Sequence, residues 1–287
     1  MSRTPLLEWY RPRRRAYPWR GSRDPYRVLV SEVMLQQTQA ARVAPAYLAF
    51  LRRFPTVRAL ARAPRAEVLR AWGSLGYNRR AVALSDAARA IVRDHDGRVP
   101  REPSELVRLP GVGSYTAAAV ASLAYGVPIP AVDTNVRRVV ARARVGRDDA
   151  GTDEVGGAAA GWLDRRDPRA WNQALMDLGR EVCRPRPRCD GCPLARTCRF
   201  RRSGGAPLPA GPRQPPFEGS SRQLRGAVVR TLRHRGSASL GMLVREIGQP
   251  LDRVARAVAA LTADGLIRAG PAAMAGMPRG RVALADS

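Results

Sequence analysis

The chain contains no lysine; all fifty of its basic residues are arginine. That absence removes one chemistry outright, because no lysine amine is present to form a Schiff base. No run of about 18 apolar residues occurs, so nothing in the sequence spans a membrane as a helix. The basic opening MSRTPLLEWYRPRRR lacks the apolar stretch of a secretory signal. The expectation is a soluble, cytoplasmic protein. Acids are scarce as well, and 24 Asp and Glu against fifty Arg leave a formal charge of +26. Codon bias toward Arg, Ala, Gly and Pro contributes to that figure but does not by itself leave so large an excess over the acids. A polyanionic partner is indicated, and nucleic acid is the commonest. Arginine suits phosphate because its planar fork donates paired hydrogen bonds and keeps its charge when partly buried.

The length, 287 residues, allows two or three domains, and 45% hydrophobic residues are ample for real cores. The first two hundred residues lack runs of alternating polarity and predict an all-α body. Asp24-Pro25 opens a helix through about Gln39, and further helical patterns cover 43–53, 65–71, 79–93, 104–108, 114–125, 156–164 and 168–181. Over 136–145, Val136, Val139, Val140 and Ala143 form one helical stripe. Residues 201–221, RRSGGAPLPAGPRQPPFEGSS, are too rich in Pro, Gly and Arg to bury a core and predict a linker. Over 222–287, helices carrying Leu224, Val228 and Leu232, then 239–247, then Leu251, Val254, Val258 and Leu261, precede a strand near Gly280–Ala285. That order predicts a small winged-helix-like module.

Cysteine is confined to sixteen residues: Cys183, Cys189, Cys192 and Cys198, spaced C-x5-C-x2-C-x5-C. Disulfides are not expected in a reducing compartment, and four unrelated buried cysteines would not bunch in this way. Four thiols in one loop indicate a metal site. Zinc sites usually pair cysteines in two short hooks, and only one such hook is present. A compact [4Fe–4S] cluster fits the spacing better. Arg184, Arg186, Arg188, Arg196 and Arg199 surround the ligands, and a cluster that shapes this loop would set them against phosphates.

Leu109-Pro110-Gly111-Val112-Gly113 precedes a helix starting near Ser114. Glycines at 111 and 113 permit a tight turn and close backbone approach, while the helix start offers unpaired N–H groups to a phosphate. An ordinary helix corner has the same look; the basic chain and the cysteine loop favour a DNA grip.

Two carboxyl groups are candidates for chemistry. VLVSEVML, 28–35, is apolar nearly all round, the pattern of a buried helix, and Glu32 lies inside it. Burial would raise its pKa and keep it protonated. A Glu32 turned to solvent or paired with Arg27 fits the pattern equally well. Asp133, in AVDTNVRRVV, stands at a helix start, where an N-cap explains it as readily as a catalytic role beside Asn135.

Together PWR at 18–20, SEVMLQQTQ at 31–39, LGY at 75–77, LPGVGSYTAAAVAS at 109–122, VDTNVRRVVAR at 132–142 and the cysteine loop resemble, in order and spacing, the MutY-type adenine DNA glycosylases. The resemblance covers roughly residues 6–200. It implies a two-lobed helix-hairpin-helix fold with an iron–sulfur loop at 183–198, duplex DNA held across the cleft between the lobes, and a flipped-out adenine. It casts Glu32 as the general acid on the adenine ring, Asp133 as the carboxylate that stabilises the sugar cation, and Asn135 as its supporting donor. Tyr115 takes the active-site position after the hairpin, where the resembling endonuclease III carries a Schiff-base lysine. Gln37 would fill the gap in the DNA helix, and Tyr77 would wedge beside the opposing base. Gly111 and Gly113 belong to the DNA-gripping hairpin. The expectation is a monomeric, monofunctional glycosylase acting at the nucleoid on adenine opposite 8-oxoguanine or guanine.

Two departures accompany the resemblance. The first cysteine gap is five residues where the family has six, so either a tighter turn at Pro185 and Pro187 takes up the difference or the cluster is absent. Fewer than seventy residues follow the linker, too few for the Nudix-like domain with which many members read 8-oxoguanine. A mismatch thymine or uracil glycosylase on the same scaffold, or a non-catalytic DNA-binding protein, are the rival readings.

Overall fold

The computed structural model describes residues 4–208 and 215–285; the middle of the expected linker, 209–214, lies outside the described residues. Contacts divide the chain into two compact units, Met1–Val33 with Val99–Pro212 and Met34–Arg98 with Arg213–Ser287. Among the described residues no strand precedes Ser237, in keeping with the all-α expectation.

The first unit is a helical body around Trp171, Trp162, Leu6, Leu7, Val136, Val139, Val140, Leu175 and Leu178. The two tryptophans meet edge to face, 5.2 Å between centroids. Thr4–Arg13, whose pattern the surrounding arginines mask in the sequence, is a helix that sends Leu6, Leu7 and Tyr10 into this core. The Pro168–Glu181 helix starts where the Asp167 side chain accepts a hydrogen bond from Ala170 N, with Pro168 in the first helical position. Its Asn172 is fully buried and fully satisfied. The amide oxygen accepts from Ala131 N at 2.9 Å, and Nδ2 donates to Ser122 Oγ, Ile129 O and Pro168 O. Those bonds tie the extended segment before Asp133 to two helices at once. The Ser114–Tyr125 helix is buried from Thr116 through Leu123 and ends on Gly126, whose φ of 70° suits a residue without a Cβ.

The stripe over 136–145 is buried as expected, but the α-helix closes at Val140 and Ala141–Val145 winds as a single π turn. Gly146 N donates to Ala141 O, five residues back, at 2.7 Å. The widened turn carries Arg142 inward to a bidentate ion pair with Asp148 at 2.5 and 2.7 Å. A regular turn would have served the apolar stripe alone; the π turn accommodates this buried guanidinium as well.

In the second unit, the helices Ala40–Arg53, Val57–Arg62, Arg65–Trp72 and Arg79–Asp94 pack around Phe50, Phe54, Leu60, Leu69, Trp72 and Ile91. The C-terminal module has the order helix Ser221–Arg235, β1 (Ser237–Ser239), helices Leu240–Ile247 and Leu251–Ala263, β2 (Ile267–Ala269) and β3 (Arg281–Leu284). The strands form an antiparallel sheet in the order β1-β3-β2, with Ser237 opposite Ala283 and Ile267 opposite Leu284. Leu224, Val228 and Leu232 face Val254, Val258 and Leu261 in its core, the winged-helix-like arrangement the sequence predicts.

Candidate active site

Glu32 is buried at 5% exposure, and Arg27 pairs with Asp24. The Tyr115 hydroxyl donates to Glu32 Oε2 at 2.8 Å. Burial pushes the Glu32 carboxyl from 4.5 up to about 7; Tyr115 and the Arg20 charge oppose that shift, and the Asp133 charge adds to it. Burial and then the Glu32 charge hold the Tyr115 phenol well above its ordinary value, so it is a donor throughout the neutral range. The structure therefore brings Glu32, Tyr115 and Asp133 into one electrostatic site in the first unit. Arg20 completes it from behind, with its guanidinium bonded to Asp177 at 2.6 Å and to the Tyr10 hydroxyl at 3.2 Å.

Asp133 caps its helix and remains available to the site. One carboxylate oxygen accepts from Val136 N at 2.7 Å, and the other accepts from Asn135 Nδ2 at 3.0 Å. Both carboxylate oxygens are thus held by donors at the start of the Thr134–Val140 helix. Asn135 is itself held, since its amide oxygen accepts from Arg138 Nη2 at 2.9 Å. The same guanidinium donates to Gly179 O at 2.8 Å and Cys183 O at 2.6 Å. A continuous polar line thus runs from the cysteine loop to Asp133. Gly179 lets the two helices close together there, because a Cβ at that position would stand 2.7 Å from Asn135 Cβ and from Asn135 O.

Cys183, Cys189, Cys192 and Cys198 line one cavity with Arg142, Val182, Phe200 and Arg201, and none is disulfide-bonded. Burial foremost, and then the neighbouring Cys183, Cys198 and Cys189, push the Cys192 thiol up to about 11, while a backbone hydrogen bond at Leu194 opposes the shift. Among the described residues no three His, Cys, Asp or Glu stand together so as to grip a single metal ion. A mononuclear zinc needs four sulfurs about 2.3 Å from one point, whereas a [4Fe–4S] cluster takes one cysteine at each iron and needs them spread around a larger body. Four soft thiols around a shared cavity fit the second donor set. Between Cys183 and Cys189, the Pro185 carbonyl accepts from Arg142 Nη2 at 3.0 Å.

The hairpin has the expected form. Val112 N bonds Leu109 O at 3.1 Å, Gly111 adopts φ 73°, and Gly113 stands at the N-cap of the Ser114–Tyr125 helix. Gly111, Gly113 and Ser114 are exposed, and Tyr115 follows on the inner side. Gln37 and Tyr77 belong to the second unit and, with Asp96, are the non-glycine residues with positive φ among its described residues, at 53° and 46° for the first two. Both are exposed. Arg80 ties their loops together: it donates to Met34 O, Gln36 O and Thr38 Oγ1 on one side and to Gly76 O and Tyr77 O on the other. Its guanidinium also lies 5.4 Å from the ring centroids of Trp72 and of Tyr77.

Sequence reasoning missed Arg20, Asp177, Arg138, Arg142 and Arg80. Among fifty arginines no local signal separates a buried organiser from a solvated one. Asp177 did carry a signal, because it falls on the buried face of its helix between Ala174 and Leu178. A charge on that face needs a buried partner.

Residues 30–164 match the family described as HhH-GPD superfamily base excision DNA repair protein. The chain is 49% identical over 240 residues to the adenine DNA glycosylase of Mycobacterium tuberculosis, covering 81% of this chain and 79% of that one. It is 44% identical over 271 residues to the adenine DNA glycosylase of Mycolicibacterium smegmatis, covering 91% of each. Among solved structures it resembles a thermostable thymine-DNA glycosylase with a TM-score of 0.65 at 32% identity, over 69% of this chain and 94% of that one. A non-covalent endonuclease III–DNA complex matches with a TM-score of 0.60 at 29% identity, over the same shares.

Proposed function

From the premise that the chain belongs to the adenine DNA glycosylases of the HhH-GPD superfamily, we propose how its own residues release the base and which mispairs it serves. The enzyme acts in base excision repair and hydrolyses the N-glycosidic bond of adenine in DNA. Adenine is a poor leaving group until a ring nitrogen is protonated, and its departure leaves a sugar with oxocarbenium character. One neutral acid and one carboxylate are therefore needed in the same pocket, the division of labour seen in glycoside hydrolysis.

Glu32 supplies the proton. A carboxyl held near 7 keeps its proton on about half of the molecules at neutral pH and gives it up readily, which suits a general acid. As the glycosidic bond breaks, its electron pair leaves with the protonated base, and Asp133 faces the cation that remains. Asn135 and the helix start keep that carboxylate oriented. Water then adds to the sugar carbon and passes its proton to the Glu32 carboxylate left by the first step, giving the abasic site and restoring the acid. Tyr115 stands where a lysine would be needed for strand cleavage, so the product is an intact strand. One chain supplies every one of these groups. The observation that carries the reading is the raised Glu32 carboxyl beside Asp133 in a single buried site.

Duplex DNA is the partner, as it is for the endonuclease III of the matched complex. We assign the hairpin Leu109–Gly113 to phosphate, and Gln37 and Tyr77 to the helix gap and the base opposite adenine. Cys183, Cys189, Cys192 and Cys198 would hold a [4Fe–4S] cluster, whose contribution here is to shape the arginine-bearing loop. Among the described residues no helix is long and apolar enough to cross a membrane, and the nucleoid is the proposed place of action.

Base release from duplexes with adenine opposite 8-oxoguanine, guanine and thymine tests the assignment. Release from the first two, with the strand intact until alkali is added and with Glu32→Gln inert, is the expected result. Thymine release from a G:T mispair with no adenine release would transfer the assignment to the thymine-specific branch of the scaffold. Scission without alkali would overturn the monofunctional reading.

A further inference from the structure

Tyr77 stands at the tip of the turn between the Arg65–Trp72 and Arg79–Asp94 helices, with 46% of its surface exposed and a backbone φ of 46°. Gly73 and Gly76 in the same turn also have positive φ, at 60° and 74°. A tyrosine in the left-handed region is uncommon and persists only where its surroundings hold it. Those surroundings come partly from the C-terminal module. In the last turn of the Ser221–Arg235 helix, Arg233 sends one guanidinium nitrogen to Gly73 O and the other to Asn78 Oδ1 at 2.7 Å, so it spans the turn from its first residue to its last. Burial alone lowers the Arg233 pKa to about 10, and its Nε is buried with no hydrogen-bond partner. A guanidinium desolvated in this way is costly. Its two hydrogen bonds go to a backbone carbonyl and an amide oxygen of the turn. A second contact reinforces the first: Asp264, at the end of the Leu251–Ala263 helix, pairs with Arg79 at 3.5 Å and with Arg225 of its own module. Both ends of the turn are thus fastened to the module, while the Tyr77 side chain stays exposed beside the Arg80 guanidinium.

We infer that the C-terminal module is a positioning element for Tyr77, acting through Arg233, so that the presentation of this ring to the base opposite adenine depends on a segment about 155 residues away in sequence. The inference rests on the reading of Tyr77 as the residue that meets that base. Arg233 is a positioning residue: it touches no DNA in this account and acts only through the turn. Its loss lets the turn relax toward ordinary φ values, and the Tyr77 ring then samples orientations that miss the duplex. The cost falls on mispair binding and on discrimination between 8-oxoguanine and guanine, not on the bond-breaking step, because none of the groups that break the bond is attached to the turn.

The test uses the full chain as wild type, Arg233→Gln, Asn78→Ala, Tyr77→Ala and the Tyr77→Ala/Arg233→Gln double variant. KM and kcat are measured on duplexes with adenine opposite 8-oxoguanine and opposite guanine, and thermal melting of each protein is recorded. Loss of one or two such hydrogen bonds predicts a KM about tenfold higher for Arg233→Gln, with kcat within about twofold and the preference for 8-oxoguanine reduced. Asn78→Ala, which keeps Arg233 and removes its side-chain acceptor, should reproduce the KM effect, Arg233→Lys should restore part of it, and the double variant should bind no worse than Tyr77→Ala. If Arg233→Gln and Asn78→Ala both behave as wild type, or if the Arg233 and Tyr77 losses multiply, the inference is overturned. A Tyr77→Ala enzyme with unchanged KM and discrimination would remove the underlying reading of Tyr77 itself, whatever Arg233 does. Should Arg233→Gln fail to fold, Asn78→Ala decides between the same outcomes.

Discussion

Tyr115 donates its hydroxyl hydrogen to Glu32 Oε2 at 2.8 Å, joining the first turn of the helix after the hairpin to the buried acid of the Pro25–Leu35 helix. The bond has two consequences with opposite effects on the rate. It fixes the carboxyl in one orientation, and by stabilising the charged form it holds the Glu32 pKa below the value that burial alone would set.

Tyr115→Phe therefore shifts the pH dependence of base release in a defined direction. Removing the donor destabilises the carboxylate and raises the Glu32 pKa above about 7. The alkaline limb of the single-turnover profile should move to higher pH, while the plateau falls because the carboxyl is no longer oriented. A limb that stayed in place, or moved toward acid, would show that Glu32 is not the proton donor.

Glu32→Gln should abolish base release, leave duplex binding intact and stabilise the fold at neutral pH. The carboxyl titrates at about 7 in the folded protein and near 4.5 when unfolded. At pH values below 4.5 both states are protonated and the group contributes no difference. Between 4.5 and 7 the unfolded chain has released the proton that the native state retains, so wild-type stability falls as pH rises. At 1.36 kcal/mol per unit, the loss reaches on the order of 3 kcal/mol above pH 7. Glutamine does not titrate, so the melting-temperature advantage of Glu32→Gln should grow from pH 4.5 to 7 and stay level beyond. Denaturation at pH 4.5 and pH 8 checks this, and equal differences at the two values would contradict it.

The burial of Glu32 was open in the sequence between a core position and a pairing with Arg27. The apolar run on both sides of it proves the better guide, because a helix buried all round leaves its one acid no route to water. Asp133 posed a choice between capping residue and catalyst that no local pattern can decide, and the structure shows why. One oxygen caps Val136 while the other meets Asn135, so the cap is made without using up the carboxylate and does not by itself exclude the second role. The stripe Val136, Val139, Val140 and Ala143 was legible, since periodicity reports which face is buried. The π turn over Ala141–Val145 was not, because an i, i+3, i+4 stripe looks the same through a single widened turn. β1 and β2 are three residues each, shorter than a period-two pattern needs to declare itself. The second unit was hidden for a different reason: it is built from segments more than a hundred residues apart.

Gly179→Ala should damage catalysis more than stability. A methyl group at this position would stand 2.7 Å from both Cβ and O of Asn135, so the Pro168–Glu181 and Thr134–Val140 helices must separate or Asn135 must move. Overpacking of this kind costs about 1–3 kcal/mol. Asn135 is the donor that orients Asp133, and a displacement of about 1 Å at a reacting group can cost about a hundredfold in rate. The expected result is a folded protein, lower in melting temperature by a few degrees, whose single-turnover rate drops by at least about tenfold. A rate within twofold of wild type would show that Asn135 does not position the carboxylate.

Arg142 is the residue on which the cysteine loop depends. It is 2% exposed, and its guanidinium donates to both oxygens of Asp148, to Arg184 O at 2.6 Å and Pro185 O at 3.0 Å, and approaches Cys183 Sγ at 3.8 Å. The Phe200 ring covers it, 5.1 Å away. Arg142→Ala leaves Asp148 buried without its partner, a change that costs about 3–5 kcal/mol, and frees the turn between Cys183 and Cys189. Arg142→Lys keeps a charge but cannot span two carboxylate oxygens and two carbonyls together. Iron content and visible absorption of the purified proteins should fall in the order wild type, Lys, Ala, with the melting temperature following the same order. A double Arg142→Ala/Asp148→Ala variant removes the stranded charge and should recover part of the stability. It should not recover the iron, because the carbonyls of Arg184 and Pro185 still lack their donor. Recovery of both would mean that the ion pair, not the anchoring of the loop, is what the cluster requires.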